Sequence, residues 1–130
     1  MKPQARARAW EHLHELAAEH GVKLHKAKSW VLAEAHVSTK QVWVPPTMRD
    51  VESYLIALHE FGHICQPEAA ALQATTHVPS GLACEALAWG WAIEHADPAL
   101  LRLAGASTWR CVGDCVASYL SDRALARSKR

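Results

Sequence analysis

The hydrophobic positions of this chain follow helical spacing over most of its length. Residues 4–20 alternate apolar and charged positions at a period of about 3.6 residues, and Gly21 then supplies a C-terminal stop. The same spacing returns in three later stretches, and Asp97 followed by Pro98 signals the start of a short helix between the last two. The pattern predicts helices over residues 4–20, 48–65 and 81–96, a short helix from residue 98, and a last helix over 109–126.

Between residues 22 and 44 the pattern changes to short segments rich in β-branched and aromatic residues. Three segments fit strands, and the turn signal Ser38-Thr39-Lys40 separates the last two. We expect a small antiparallel sheet of two or three strands that packs one face on the following helix, with Trp30 and Trp43 as large apolar contributors. The fold class is therefore α+β. The strand segments are Val22–Leu24, Trp30–Leu32 and Gln41–Val44.

Composition and charge bound the function classes. The chain has 130 residues, enough for one domain that buries roughly two-thirds of its unfolded surface, and we treat 1–130 as that domain. Its net charge is +1, which makes a nucleic-acid partner unlikely. The helix, glycine turn and helix after Asp97 also fit a DNA-reading motif, but the last helix lacks the net positive charge that phosphate contacts need.

The cysteines and the N-terminus bear on the compartment. The first residues lack the apolar core of a signal peptide, and no run approaches the ~20 apolar residues of a membrane span, so we expect a cytoplasmic protein without a membrane partner. The four cysteines are then expected to be reduced. Cys111 and Cys115 stand four apart on a predicted helix and form a weaker alternative metal site.

The sequence His59-Glu60-Phe61-Gly62-His63 is an HExxH motif inside the helix predicted over 48–65. Thr47 and Asp50 read as a capping box at its start, and Gln66-Pro67 ends it. Residues four apart share one face of a helix, so His59 and His63 can offer two imidazole nitrogens to one metal ion. Glu60 lies beside that pair, where it can hold a water instead of binding the metal. Histidines with ordinary surface or core roles are the alternative.

A third ligand is sought on the next helix. Glu85 lies at the border of its predicted apolar stripe of Leu82, Ala86, Trp89, Ile93 and Ala96, and a buried carboxylate there needs a cation. Helical geometry disfavours Glu94, His95 and Asp97. Glu68 and His77, in the intervening segment, remain alternatives to Glu85.

The HExxH motif, with Tyr54-Leu55-Ile56-Ala57-Leu58 before it and Glu85-Ala86 on the next helix, resembles the gluzincin metallopeptidases, and most of all the ImmA/IrrE-type family of phages, mobile elements and bacterial stress regulators. The resemblance covers about residues 42–96. It implies a zincin-like domain, a Zn²⁺ ion held by His59, His63 and Glu85, and Glu60 as the general base. It also implies a protein or peptide substrate such as a transcriptional repressor.

The expected activity is therefore zinc-dependent hydrolysis of a peptide bond, in which a further donor steadies the oxyanion. Tyr119 and His77 are the favoured donors, while Tyr54 and His95 are chemically able. The alternative is a zinc-stabilised interaction module, or a phage accessory factor, without hydrolysis. A structural zinc site usually closes its fourth position with Cys or His, and Cys84 is the residue to check.

Overall fold

The computed structural model describes residues 1–28, 33–66 and 78–128, with side chains for all of these except 78–82 and 118–128. The described elements are five helices and three short strands, so the α+β class is confirmed. No described helix combines the length and apolarity needed to cross a membrane. The elements in chain order are α1 Pro3–His20, β1 Lys23–Lys26, β2 Glu34–His36, β3 Gln41–Val44, α2 Val51–Cys65, α3 Val78–His95, α4 Pro98–Leu101 and α5 Ala106–Ser128.

The ends of the first two long helices follow their capping residues. Helix α1 ends at Gly21, whose φ of 65° is the left-handed conformation that glycine adopts without strain. Helix α2 starts at Val51 and not at residue 48, because Asp50 is its N-cap and accepts hydrogen bonds from the backbone N–H and the hydroxyl of Ser53. The predicted capping box at Thr47 is therefore wrong by three positions.

The sheet is mixed, so the prediction of a purely antiparallel sheet is wrong. Strand β3 lies in the centre, with β1 parallel on one side and β2 antiparallel on the other. Strand β2 begins at Glu34, and the predicted strand Trp30–Leu32 lies outside the described residues. Strands β1 and β3 run in the same direction and pair in parallel, with Lys23 opposite Gln41.

The sheet packs one face on α2, as predicted, but through different side chains. Val42 and Val44 are fully buried on that face. Trp43 alternates with them and points to the other face, where its ring lies 4.7 Å from that of His25 and 4.6 Å from that of His36. The prediction that Trp43 contributes to packing on α2 is therefore wrong, because side chains alternate along a strand.

Helix α2 is the central element of the core. It is covered by the sheet, α1, α3 and α5, and its buried side chains are not confined to a single stripe. Tyr54, Ala57 and Phe61 are fully buried in addition to Leu55 and Leu58. The helix is packed from several directions, which explains why its apolar residues do not follow one narrow face.

Helix α3 begins at Val78, three residues before the predicted start at residue 81, so Ser80 lies inside the helix. Its buried face also differs from the predicted stripe, since Ala86 is exposed and Ile93 is 38% exposed. The side chain of Leu82 is outside the described part. Residues on the buried face are Cys84, Ala88, Trp89, Trp91, Ala92 and Ala96.

A half-buried polar cluster joins α1, α2 and the start of α4. Asp97 caps α4 as predicted, by accepting from the backbone N–H groups of Ala99 and Leu100, and Arg8 donates to its other oxygen at 2.8 Å. The Tyr54 hydroxyl accepts from the backbone N–H of Asp97 at 2.9 Å and lies 2.5 Å from Nδ1 of His12. The Tyr54 hydroxyl therefore links the His12 ring on α1 to the backbone at the start of α4.

Helix α5 begins three residues earlier than predicted and packs on α3 and α2. Thr108 is therefore the third residue of the helix and not its N-cap. Its hydroxyl accepts from the backbone N–H of Gly105 and donates to Glu52 of α2 at 2.8 Å. This contact fixes the start of α5 to the start of α2. The side chains of Tyr119, Leu120 and Leu125 lie outside the described part of α5.

Candidate metal centre

Three side chains from two helices converge on one point. Nε2 of His59 lies 2.8 Å from Oε2 of Glu85, and Nε2 of His63 lies 3.2 Å from Oε1 of the same carboxylate. The two Nε2 atoms are 3.1 Å apart. All three donors lie within 4.8 Å of one another, so one metal ion can contact them together. Glu85 therefore lies against the two histidines, and the three side chains form a group that could hold a metal ion.

The local fold explains this convergence. His59 and His63 are one turn apart on α2, and their rings meet edge to face with centroids 4.5 Å apart. Helix α3 comes unusually close to α2 at Gly62, where an added Cβ would lie 2.4 Å from the backbone oxygen of Ala88. Glu85 precedes Ala88 by one turn, so this close crossing brings its carboxylate to the imidazoles.

The electrostatics of the centre favour a positive charge. Burial lowers the pKa of His59, but its hydrogen bonds with Glu60 and Glu85 outweigh burial and raise that pKa to about 9. Burial raises the pKa of Glu85, but its contacts with His59 and His63 outweigh it and bring that pKa to about 2. Glu60 and Glu85 therefore stabilise the charged form of the His59 ring, and the same carboxylates would attract a bound cation.

Each histidine has a second contact on its outer side. Nδ1 of His59 lies 3.5 Å from Oε1 of Glu60, whose side chain is 12% exposed. Nδ1 of His63 lies 3.6 Å from Sγ of Cys84. The indole of Trp89 stacks on the His59 ring with centroids 4.4 Å apart and an angle of 20° between the planes. Partners on the outer nitrogen and ring face of a ligand histidine hold its orientation.

The other candidate residues have different positions. Glu68 and His77 lie outside the described residues, and so does the side chain of Tyr119, whose backbone belongs to α5. Tyr54 binds His12 and Asp97 at the far side of α2, and His95 stacks on Trp91 while its Nδ1 contacts the Trp91 backbone oxygen. Neither is therefore in place to act at the centre.

Cys84 does not join the ligand group, because its sulfur faces the Nδ1 side of His63 and not the Nε2 side. Among the described side chains the group holds His59, His63 and Glu85 with no fourth Cys, His, Asp or Glu. Comparison with known proteins gives no match: neither a protein-family model, nor a curated protein, nor a solved structure matches the chain. What the centre can do therefore follows from the three residues of the group and their neighbours.

The sequence pattern did not predict the contacts that support the ligands. Trp89 stands in the predicted apolar stripe of its helix, yet its indole stacks on His59, and Gly62 lies directly against the backbone of Ala88. The sequence contained a signal for both contacts. Gly62 lies between the two candidate histidine ligands, and Trp89 lies one turn after Glu85, so both residues occupy positions that face the partner helix. Two nitrogens and one carboxylate at this spacing are a donor set that zinc accepts.

A cavity of about 700 Å³ lies away from this centre, at the starts of α2 and α5. Its lining includes Lys2, Asp50, Glu52, Leu103 and Thr108, and none of the three candidate ligands. Its volume would admit a small molecule. The converging donor atoms and the shifted pKa values of His59 and Glu85, however, are found at the histidine pair and not at the cavity. The histidine pair and Glu85, and not the cavity, are therefore the candidate functional site.

Proposed function

We propose that this protein is a zinc metallopeptidase with a zincin-like domain, similar to the ImmA/IrrE-type peptidases, and that it hydrolyses a peptide bond in a regulatory protein such as a transcriptional repressor. The observation that carries the proposal is the convergence of His59, His63 and Glu85 within 4.8 Å. Glu60 lies next to this group without belonging to it, as a base requires. Four unbridged cysteines fit a cytoplasmic setting.

His59, His63 and Glu85 would hold the metal, and the remaining chemistry falls to residues beside them. Bound zinc polarises a substrate carbonyl and lowers the pKa of water toward about 7. Glu60 accepts the proton of the attacking water and returns it to the leaving amine. Its carboxylate is 12% exposed, which shields it from bulk water while leaving it reachable.

The sheet offers a place for the substrate backbone. Among the described strands, β2 lies at one edge of the sheet; it runs antiparallel to β3 and packs against α2, which carries the histidines. An extended peptide can bind such an edge through backbone N–H and C=O groups alone. We assign the substrate to this edge because the opposite edge strand, β1, has no comparable packing on α2.

The test of the base is Glu60→Gln. This change keeps the size of the side chain and removes its ability to accept a proton, so zinc content measured by mass spectrometry of the metal should persist. Hydrolysis of a fluorogenic peptide library should fall by about 10²-fold or more. Unchanged turnover in the variant would remove Glu60 from this role.

The ligand set has its own test, with a matched control on the same helix. Glu85→Ala should lose zinc, because only the two imidazoles remain among the described donors. Glu94→Ala removes an exposed carboxylate from α3 and should retain a full zinc content. Equal zinc content in the two variants would show that Glu85 is not a ligand.

The second candidate is a zinc-stabilised interaction module without hydrolysis. It is favoured by the outer face of α3, where Leu87 and Ile93 are 37% and 38% exposed. The Glu60→Gln variant separates the two functions. A module would keep every property of the parent after this change, since the carboxylate contributes no metal ligand.

A further inference from the structure

The geometry points to Trp89 as a positioning residue of the metal centre: its indole plane fixes the ring plane of His59, so that Nε2 faces the metal. This inference rests on the metal site of the proposed function and does not require hydrolysis. It gives helix α3 two roles one turn apart, since Glu85 supplies a ligand and Trp89 supplies the surface on which another ligand lies.

The contact between the two rings is extensive. The centroids of Trp89 and His59 are 4.4 Å apart, and the planes are within 20° of parallel. Trp89 is 5% exposed and His59 is 9% exposed, so the stack is held by the surrounding core and not by the rings alone. Because Glu85 and Trp89 are four residues apart, the ligand and the stacking surface lie on the same face of α3.

The ring of His59 needs such a restraint. The second side-chain torsion of histidine is broad, so packing or hydrogen bonding must choose the ring plane. The outer nitrogen of His59 meets Glu60 only at 3.5 Å, at the long limit of a hydrogen bond. A nearly parallel ring at van der Waals distance restricts rotation about that torsion directly, which a single long contact does not.

The indole N–H of Trp89 indicates that this residue acts through the plane of its ring and not through a hydrogen bond. Nε1 of Trp89 is buried and finds no acceptor among residues 1–28, 33–66 and 78–128. A buried donor without a partner costs stability, so the N–H is not the reason for tryptophan at this position. Phenylalanine, which keeps a flat ring and removes the donor, should therefore serve the same purpose.

The chain contains a matched control two residues further along α3. Trp91 is 6% exposed, and it stacks on His95 with centroids 4.0 Å apart and planes at 15°. It therefore has the same residue type, helix, burial and kind of partner, but its histidine is not in the ligand group. Loss of Trp91 should reproduce the loss of packing without touching the metal.

The experiment compares Trp89→Leu, Trp89→Phe and Trp91→Leu in the full chain. The dissociation constant for Zn²⁺ is measured by competition with a chromogenic chelator, and the ligand geometry by the visible absorption spectrum of the Co²⁺ form. Trp89→Leu should weaken zinc binding by about 10- to 100-fold and change the Co²⁺ bands. Trp89→Phe and Trp91→Leu should stay within about threefold of the parent, with its spectrum.

Equal zinc affinity and equal spectra for Trp89→Leu and Trp91→Leu would overturn the positioning role. If the leucine variant does not fold, Trp89→Met keeps apolar volume without a flat ring and is expected to show the same loss. A parent chain that binds neither metal would overturn the metal site and this inference together. A parent that binds zinc with the predicted dependence on Trp89, but hydrolyses nothing, would leave the inference intact and remove the peptidase.

Discussion

Gly62 offers the sharpest test of how the fold builds the centre. A methyl group at this position would lie 2.4 Å from the backbone oxygen of Ala88, 2.9 Å from its Cα and 3.0 Å from its carbonyl carbon. All three atoms belong to the backbone of α3, so no side chain can rotate away. Gly62→Ala must therefore push α3 away from α2, and Glu85 moves with it.

The size of the effect follows from two opposing terms. Ordinary contact begins at 3.4 Å, so the shortest of these distances must open by about 1 Å. Overpacking of this kind costs about 1–3 kcal/mol, against a gain of roughly 1 kcal/mol because alanine favours a helix over glycine. We expect a net loss of about 0–2 kcal/mol in the free energy of unfolding. Zinc affinity should fall more clearly, because ligand geometry tolerates errors of only about 0.2 Å.

The control is Gly90→Ala on α3, where an added Cβ meets nothing within 4 Å. This variant gains the helix preference without a clash, so it should be more stable than the parent by roughly 0.5–1 kcal/mol. Urea unfolding gives the stabilities, and chelator competition gives the zinc affinities. If Gly62→Ala matches Gly90→Ala in both measurements, the close crossing does not control the position of Glu85.

Three further predictions concern stability. Burial lowers the pKa of His12, so the folded protein binds this proton less tightly than the unfolded chain does. The free energy of unfolding should therefore decline as pH falls below the ordinary histidine pKa of 6.5, and His12→Asn should flatten the slope between pH 7 and 5 in urea titrations. An unchanged slope would count against this account. Asp50→Ala should cost about 1 kcal/mol by removing the N-cap of α2, and Asp50→Asn should recover most of it. Removal of zinc by a chelator should lower the melting temperature of the zinc-loaded parent. If free zinc was at a hundredfold excess over its dissociation constant, the free energy of unfolding should fall by up to about 2.7 kcal/mol. The chelator should not affect Glu85→Ala.

The site was more predictable than the packing around it. His59 and His63 could be paired from sequence because helical spacing is a local property. Glu85 could be proposed because a carboxylate on an apolar helix needs a partner. The stack of Trp89 on His59 could not be derived, since it depends on the angle and distance at which two helices cross.

The orientation of α3 shows why that information is missing. Residues 83–93 are apolar at almost every position, so several faces of the helix fit the core equally well by periodicity. The crossing at Gly62 and Ala88 selects one of them and leaves Ile93 outside. The parallel pairing of β1 with β3 was missed for a related reason, because strand order is set by the path of the chain and not by the strands themselves.

With β3 in the centre, β1 and β2 form the two edges of the sheet among the residues that the structure describes, and the charges of these strands suggest how self-association is limited. Strand β1 has an exposed lysine at each end, Lys23 and Lys26, and a second copy aligning there would meet like charges. Strand β2 is only three residues long and has exposed Glu34 and His36 at its ends. It is therefore too short to seed an extended aggregate, yet it is still able to hold a few residues of another chain.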